Sequence, residues 1–168
     1  MRGTVLKGQT AFRTAPLTVE CRVTLPRRDG YNILVASDGK NSGAHWEIFT
    51  VAGSGLFTAY TPGLTPDHTR SKLMLCDGKP HNAAMVLEPD RLRLYVDGKV
   101  VADQPVKGKG RPIVPGGLGI GQLVEGQLGC SGPVDWVRLS NQARSTTWAQ
   151  TVAPQNDEST LLNWQAEV

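Results

Sequence analysis

Apolar and polar residues alternate strictly in two stretches of this chain, Leu17–Leu25 and Arg91–Val96. In the first stretch every odd-numbered residue is apolar and every even-numbered residue is polar or charged. In the second, Leu92, Leu94 and Val96 share one face. Because successive side chains on a strand point to opposite sides, this period of two predicts β-strands with one buried face.

The middle of the chain predicts an antiparallel meander of three strands. Asn82–Leu87 is an apolar run, and the turn residues Glu88–Asp90 separate it from the alternating stretch. Asp97 and Gly98 then form the dipeptide that a two-residue type I′ hairpin turn prefers, because both central residues need a positive φ. We expect a return strand to begin at Lys99–Ala102.

The remaining chain predicts further short strands and almost no helix. The segments that we interpret as strands are Thr4–Ala11, Tyr31–Ala36, His45–Val51, Leu56–Thr61, Gly116–Leu123, Val134–Leu139 and Leu161–Trp164. We interpret Thr61–Arg70, which contains two prolines, as a longer loop, and Lys72–Leu75 leads from it into the meander. Neither face of Val134–Leu139 is uniformly apolar, which indicates a bulge. Ser140–Ala149 has room for one helical turn. Roughly a dozen short strands predict an all-β, antiparallel sandwich or barrel.

Composition and charge narrow the possible functions. The 168 residues fit a single domain, 1–168, and 19 glycines and 11 prolines suit short strands and tight turns. The net charge of +3 comes from basic residues spread along the chain, so nucleic acid is not an expected partner. No apolar run approaches the roughly 18 residues of a membrane span, and no signal-peptide core is present. We interpret the chain as a domain excised from a larger protein.

The three cysteines do not form a disulfide scaffold or a zinc motif. Cys21 is in phase with the apolar face of its strand, which predicts a buried free thiol. Cys76 and Cys130 each lie beside turn residues, and the sequence leaves open whether they pair. No Cys-x-x-Cys occurs.

Four segments, in this order, resemble the laminin-G-like or concanavalin A-like lectin/glucanase superfamily. They are DGKPH at 77–81, LRLYVDGKVV at 92–101, GPVDWVRLS at 132–140 and NQARS at 141–145. Bacterial members of that superfamily carry D-G-x-W-H-x-V-A, L-x-L-Y-V-D-G, G-x-I-D-E-V-R-I and N-R-A-L-S at these places. The resemblance covers about Leu17–Ser145 and implies a jelly roll of two packed antiparallel sheets.

The chain departs from that family pattern at three positions. Pro80 stands where the family usually has Trp, Asn82 where a second His is frequent, and Trp136 where an acidic residue is common. Many members bind sugars, often with calcium held by loop carboxylates, and others bind proteins. The resemblance therefore implies a carbohydrate or a protein surface as partner, and an extracellular or periplasmic location in a bacterial, exported protein.

Catalysis is not predicted. Glycosidases of this fold place paired carboxylates along one strand, because a retaining mechanism needs an acid and a nucleophile on one face. Glu47 and Asp135 are each alone on their strands, and the three histidines lack zinc-ligand spacing. The sequence favours a protein that is not an enzyme.

Sugar recognition needs aromatic faces for stacking and planar polar groups for hydroxyls. The candidate ligand-binding residues are Asn41, His45, Trp46, Glu47, Tyr60 and Tyr95. A single Trp in a strand is more often a core residue, so the core is the alternative for Trp46. Tyr95 lies on the polar face of its strand, which favours exposure.

The only cofactor considered is calcium, which takes several oxygen ligands from loops. Asp38 and Asn41, with Ser42 beside them, are the candidate metal ligands. The sequence as a whole predicts a non-catalytic carbohydrate-binding module. The alternatives are a protein-interaction or architectural sandwich without a sugar site and, less favoured, a glycoside hydrolase.

Overall fold

The computed structural model describes residues 3–108, 116–145 and 153–167 of the chain. These residues contain twelve strands and one short 3-10 helix, Thr10–Arg13. The strands are β1 Thr4–Lys7, β2 Leu17–Thr24, β3 Asn32–Ser37, β4 Trp46–Thr50, β5 Leu56–Tyr60, β6 His68–Met74, β7 Pro80–Glu88, β8 Arg91–Val96, β9 Lys99–Pro105, β10 Gly117–Ile120, β11 Val134–Ser140 and β12 Thr160–Gln165.

The strands form two antiparallel six-stranded sheets. Sheet I has the order β1-β10-β3-β4-β5-β6, and sheet II has the order β12-β11-β2-β7-β8-β9. Every strand pair in both sheets is antiparallel. The prediction of an all-β antiparallel sandwich of jelly-roll type is confirmed. No helix among the described residues is long and apolar enough to cross a membrane.

The main core lies between the two sheets. The odd-numbered residues of β2, from Leu17 to Val23, are at most 1% exposed and face this core, as their alternation predicted. Trp46 and Ile48 of β4 face it from sheet I. Burial of such side chains contributes about 1.5–3 kcal/mol each relative to exposure, so this interior holds the sheets together.

The polar face of β2 is buried as well, which the alternation alone did not predict. Thr18 is 0% exposed and its hydroxyl donates to the carbonyl of Gln142 at 2.6 Å. Glu20 is 1% exposed and accepts a bond from Arg138. The chain that follows β11 covers this part of sheet II, and its polar groups form hydrogen bonds with those of β2.

The predicted meander and bulge are both confirmed. Strands β7, β8 and β9 are consecutive in sheet II, and the turn between β8 and β9 has φ values of 50° at Asp97 and 81° at Gly98. The pairing of β11 with β2 shifts register between Val134 and Trp136, where the sequence indicated a bulge. Strand β9 runs on to Pro105, which lies opposite Arg91 in the ladder, and the side chain of Arg91 donates to that of Asp103 at 2.6 Å.

Several segment predictions were wrong in detail. The first predicted strand ends at Lys7, and the 3-10 helix follows it, since Gly8 approaches the backbone of Gly116 too closely for a side chain. The predicted loop Thr61–Arg70 instead ends at Asp67, because β6 begins at His68. Residues 141–145 are not helical, and the rest of the predicted helical turn lies outside the described residues.

All three cysteines are free thiols. Cys21 is buried, as predicted, and burial raises the pKa of its thiol well above the ordinary range. Burial also raises the pKa of Cys130. Cys76 lies beside the side chains of Asn32 and Thr50, with its sulfur 3.6 and 3.5 Å from them.

Candidate functional site

The outer face of sheet I carries a continuous set of polar and aromatic side chains. In antiparallel strands, residues directly opposite each other point to the same face. Glu47 of β4 lies opposite Tyr60 of β5, which lies opposite His68 of β6. Phe49 lies opposite Thr58, and Thr58 lies opposite Arg70. The register of three neighbouring strands therefore builds two parallel rows across this face.

A groove of about 320 Å³ runs over this face. Its lining residues are Tyr31, Phe49, Val51, Ser54, Leu56, Thr58, His68 and Arg70. Tyr31 is 48% exposed, and its ring centroid lies 6.0 Å from that of Phe49 at an interplanar angle of 48°. We call this feature the sheet I groove.

A second, small apolar cluster supports the outer face. It consists of Ile33, Ala36, Phe49 and Leu123, and it is separate from the core between the sheets. Leu123 comes from the segment between β10 and β11, which folds over this side of sheet I. The cluster fixes Phe49, and through it the position of the exposed Tyr31 ring.

Aromatic and charged groups continue beyond one end of the groove. The ring of Tyr60 has its centroid 4.7 Å from that of His68 and 5.8 Å from that of His45. Glu47 accepts contacts from Lys40 Nζ at 3.3 Å and from His45 Nε2 at 3.3 Å. Lys40 Nζ also lies 5.9 Å from the centroid of the Tyr60 ring, within reach of a cation–π contact.

Two further contacts fix the histidines of this face. His45 Nδ1 lies 3.0 Å from the carbonyl oxygen of Asp38. His68 Nδ1 lies 2.8 Å from Asp67, and this hydrogen bond lowers the pKa of the Asp67 carboxyl. Both imidazole rings are thus held in one orientation; the ring of His45 is buried, and that of His68 is partly exposed beside the groove.

The structure brings together three of the residues predicted from the sequence. His45, Glu47 and Tyr60 contact one another or lie opposite one another on the outer face of sheet I. Asn41 is exposed in the loop between β3 and β4. That loop is tied down by the backbone N–H of Lys40, which donates to Glu125 at 2.7 Å.

Trp46 and Tyr95 lie elsewhere. Trp46 is 2% exposed and belongs to the main core, where its Nε1–H donates to the carbonyl of Phe12 at 2.7 Å. It therefore takes the core role that the sequence offered as the alternative, since a buried ring has no free face for stacking. Tyr95 lies on β8 in sheet II, opposite Ala84, and does not join the groove.

The sequence analysis missed Tyr31, Phe49, His68 and Arg70. Phe49 follows Glu47 by two residues, so the strand period could have placed the two on one face. Tyr31 precedes β3 after a turn, and its position over Phe49 depends on tertiary packing. His68 and Arg70 fell in a segment interpreted as a loop, so their shared face could not be seen.

The residues proposed for calcium do not fit a calcium site. Asp38 is 2% exposed, and its Oδ2 accepts bonds from Arg13 at 3.2 Å and from Ser42 at 3.0 Å. A guanidinium beside the carboxylate already supplies the positive charge that the metal would bring. In the part of the chain that the structure describes, no three His, Cys, Asp or Glu side chains converge on one point.

A different cavity, of about 310 Å³, opens between loops at one end of the sandwich. The charged side chains that line it include Arg13 and Glu88. Arg13 is paired with Asp38, and Glu88 accepts from Arg93 at 2.7 Å. Because these charges are already matched within the protein, the sheet I groove offers the better combination of exposed aromatic and polar groups.

Comparison with known proteins identifies the fold. Similar solved structures include a Bacteroides ovatus protein assigned a carbohydrate-binding role, with a TM-score of 0.69 and 15% identity over 89% of this chain and 44% of that one. Mouse laminin α1 LG4-5 has a TM-score of 0.62 and 13% identity over 92% of this chain and 45% of that one. CBM40 of the Ruminococcus gnavus IT-sialidase has a TM-score of 0.62 and 9% identity over 86% of this chain and 92% of that one. The chain spans less than half the length of the first two.

Among curated proteins there is no match. A laminin G-type family model, described as the concanavalin A-like lectin/glucanases superfamily, matches residues 3–150. That range contains all strands from β1 to β11 and both rows of the sheet I face. The chain therefore belongs to the concanavalin A-like lectin/glucanase superfamily, as its sequence motifs indicated.

Proposed function

We propose that this protein is a non-catalytic carbohydrate-binding module and that the sheet I groove is its sugar site. The observation that carries the proposal is the half-exposed Tyr31, whose ring is held by Phe49 at the edge of a groove of about 320 Å³. Small-ligand pockets usually measure about 300–1,000 Å³ and combine apolar walls with a few placed polar groups. The groove is at the small end of that range, which suits a short saccharide segment.

Polar groups around the groove suit sugar hydroxyls. Ser54 supplies a hydroxyl group within the lining, whereas Thr58 is 0% exposed and its hydroxyl donates to the carbonyl of Leu56 at 3.3 Å. Tyr60 and Lys40, whose Nζ lies 5.9 Å from the centroid of the Tyr60 ring, extend the polar surface beyond it. A ring stacked on Tyr31 would thus have donors and acceptors on its edge, the arrangement that gives orientation as well as affinity.

The environment of Glu47 supports a binding role over a catalytic one. A retaining glycosidase needs two carboxyl groups about 5–5.5 Å apart. The close partners of Glu47 are the cationic Lys40 and the imidazole of His45. Glu47 is also 2% exposed, so a glycosidic bond in the groove has no direct access to its carboxylate.

The wider setting is also a proposal. The family and its carbohydrate-binding members favour a single module, 1–168, carried in a larger exported bacterial protein and working outside the cell or in the periplasm. Fractionation of the native host cells, with antibody detection of the protein in each fraction, tests the location separately from binding.

The test of the sugar site compares single substitutions in affinity gels containing polysaccharides. Tyr31→Ala is expected to weaken retention about tenfold, because truncating an aromatic anchor typically costs more than about 1 kcal/mol. Tyr31→Phe keeps the ring and is expected to bind nearly as well as the wild type. Tyr95→Ala on sheet II is the matched control and should leave retention unchanged.

Two results contradict the proposal. First, the wild type and Tyr31→Ala could be retained equally on every polysaccharide that binds the protein. The groove is then not the sugar site. The lack of retention on any polysaccharide, for a protein with an intact β-sheet circular dichroism spectrum, removes carbohydrate binding and favours the protein-interaction alternative. The exposed Val100, at 53% on edge strand β9, is then the first surface to examine for such a partner.

A further inference from the structure

The charge of the sheet I groove is not balanced within the groove. Arg70 lines it from β6 and is exposed to solvent. The ion pairs formed by the described residues do not include Arg70. Its guanidinium therefore adds a positive charge to a groove whose lining includes aromatic rings and hydroxyl groups.

The acidic groups nearest to this surface are engaged elsewhere. Asp67 bonds to His68 at 2.8 Å. Glu47 is held by Lys40 and His45, and its side chain is 3% exposed. The charge of Asp67 attracts that of Arg70, but among the described residues no ion pair joins Arg70 to either carboxylate. The guanidinium therefore keeps its hydrogen-bond donors for a ligand in the groove.

Arg70 lies next to the groups proposed to hold the sugar. It is directly opposite Thr58 on the neighbouring strand and shares the groove with Tyr31 and Phe49. A guanidinium presents a rigid planar fork that matches the oxygens of a carboxylate or a sulfate and can bond to both of them at once. A sugar stacked on Tyr31 could extend such a group from its ring edge to Arg70.

We propose that the sheet I groove selects saccharides that carry a negative charge and that Arg70 pairs with the anionic group. This inference rests on the proposed function, since it names the chemical class of sugar for the same site. A uronic acid carboxylate and a sulfate ester both supply the required oxygens. A neutral sugar leaves the guanidinium without a partner and binds more weakly.

The test uses two matched pairs of polysaccharides in affinity gels. Polygalacturonate is compared with its fully methyl-esterified form, and dextran sulfate with dextran. The wild type is expected to bind at least one anionic member about tenfold or more tightly than its neutral counterpart, because the neutral polymer lacks the charge-assisted hydrogen bond to Arg70. The preferred pair distinguishes carboxylate from sulfate.

Substitutions separate a specific contact from general charge attraction. Arg70→Gln is expected to lower affinity for the anionic polymer about tenfold and to leave any neutral binding unchanged. Lys99→Gln, which removes one charge from the exposed start of β9 on sheet II, is the control and should have little effect. Arg70→Lys should retain only part of the affinity, because the fork geometry is lost.

The outcomes distinguish this inference from the proposed function. Equal binding of charged and neutral polymers, or equal losses in Arg70→Gln and Lys99→Gln, overturns the role of Arg70. If Tyr31→Ala still weakens binding about tenfold in that case, the sugar site itself stands. The lack of binding to all four polymers and to the wider panel of neutral polysaccharides overturns both.

Discussion

Charged side chains inside this fold are matched by partners from distant segments of the chain. Arg138 of β11 bonds to Glu20 of β2 at 2.6 Å, with side-chain exposures of 6% and 1%. Burial raises the pKa of the Glu20 carboxyl, while the bond from Arg138 opposes that effect. Arg138 also donates to the carbonyl of Gln155 at 3.0 Å. The pair therefore joins strand β2 to the chain that follows β11.

Removal of one member of this pair should be costly. Arg138→Met leaves the Glu20 carboxylate buried with only Arg144, at 3.9 Å, as a cationic neighbour, and we expect the free energy of unfolding to fall by about 3–5 kcal/mol. Urea denaturation measures the change. The double substitution Glu20→Gln with Arg138→Met should recover part of the loss, because no buried charge remains.

The control for this prediction is a surface pair. Arg91 bonds to Asp103 at 2.6 Å on exposed strands, and solvent screens such pairs strongly. Arg91→Met should therefore change stability only slightly. If Arg138→Met and Arg91→Met lose equal free energy of unfolding, burial does not determine the cost of breaking an ion pair in this protein.

His81 makes the stability of the hairpin depend on pH. Partial burial lowers its pKa, but hydrogen bonds with Asp97 at 2.7 Å and Asp77 at 3.1 Å more than compensate, so the pKa is raised. The folded protein then holds the proton more tightly than the unfolded chain does. This stabilisation is fully present below the ordinary His value of 6.5 and is lost as the pH rises through the folded-state pKa.

We therefore expect His81→Gln to flatten the pH dependence of stability above pH 6.5. The measurement is the free energy of unfolding of both proteins at a series of pH values from about 6 to about 9. This series spans the ordinary His pKa of about 6.5 and the range above it. The difference between them should be largest at the acidic end. A difference that is constant with pH, or that grows as the pH rises, contradicts the assigned contacts.

At the scale of elements, the turn between β8 and β9 is the most sharply specified feature of the sequence. Its two central residues, Asp97 and Gly98, have φ values of 50° and 81°. Asp97 also accepts a bond from the backbone N–H of Asn82 at 2.8 Å. The turn thus fixes the register of the hairpin and links it to β7.

Gly98→Ala should destabilise the protein by about 1–2 kcal/mol, because a side chain at this φ clashes with the backbone. Thermal and urea unfolding both report the change. Gly98→Asn should cost less, since Asn tolerates this conformation better. Gly30→Ala is the control, because an added Cβ at Gly30 meets nothing within 4 Å. Equal effects at the two glycines would contradict the assigned turn.

Alternation predicted some strands well and others poorly, for physical reasons. Strands β2 and β8 each have one face on the core, so their pattern is regular. Strand β6 is an edge strand of mixed composition, HTRSKLM, and pairs only with β5. Its apolar positions do not alternate, so the sequence pattern did not predict where this strand begins. Its two groove residues, His68 and Arg70, were missed with it.

The candidate site was partly visible in the sequence. His45, Glu47 and Tyr60 were found through residue type, and the strand register brought them together. Trp46 and Glu47 are adjacent and necessarily face opposite sides of β4, yet the pattern WEIFT does not reveal which side is the core. Tyr31 joins the groove through tertiary contact with Phe49, which no local pattern encodes.

At the scale of the whole molecule, the two outer faces of the sandwich differ. Part of the sheet II face is covered by later chain, through contacts such as Thr18 with Gln142 and Arg138 with Gln155. The sheet I face keeps an open groove with an exposed ring, Tyr31. This asymmetry is why the proposed binding is assigned to sheet I.

The most direct test is an NMR titration of the 15N-labelled protein with an oligosaccharide from whichever polysaccharide retains it in gels. We expect the amide chemical shifts of four groove residues to change: Tyr31, Phe49, Thr58 and Arg70. The amide shifts of Tyr95 and its neighbours on sheet II should stay the same. Changes centred on Tyr95, or on the cavity lined by Arg13 and Glu88, would contradict the assignment of the sugar to the sheet I groove.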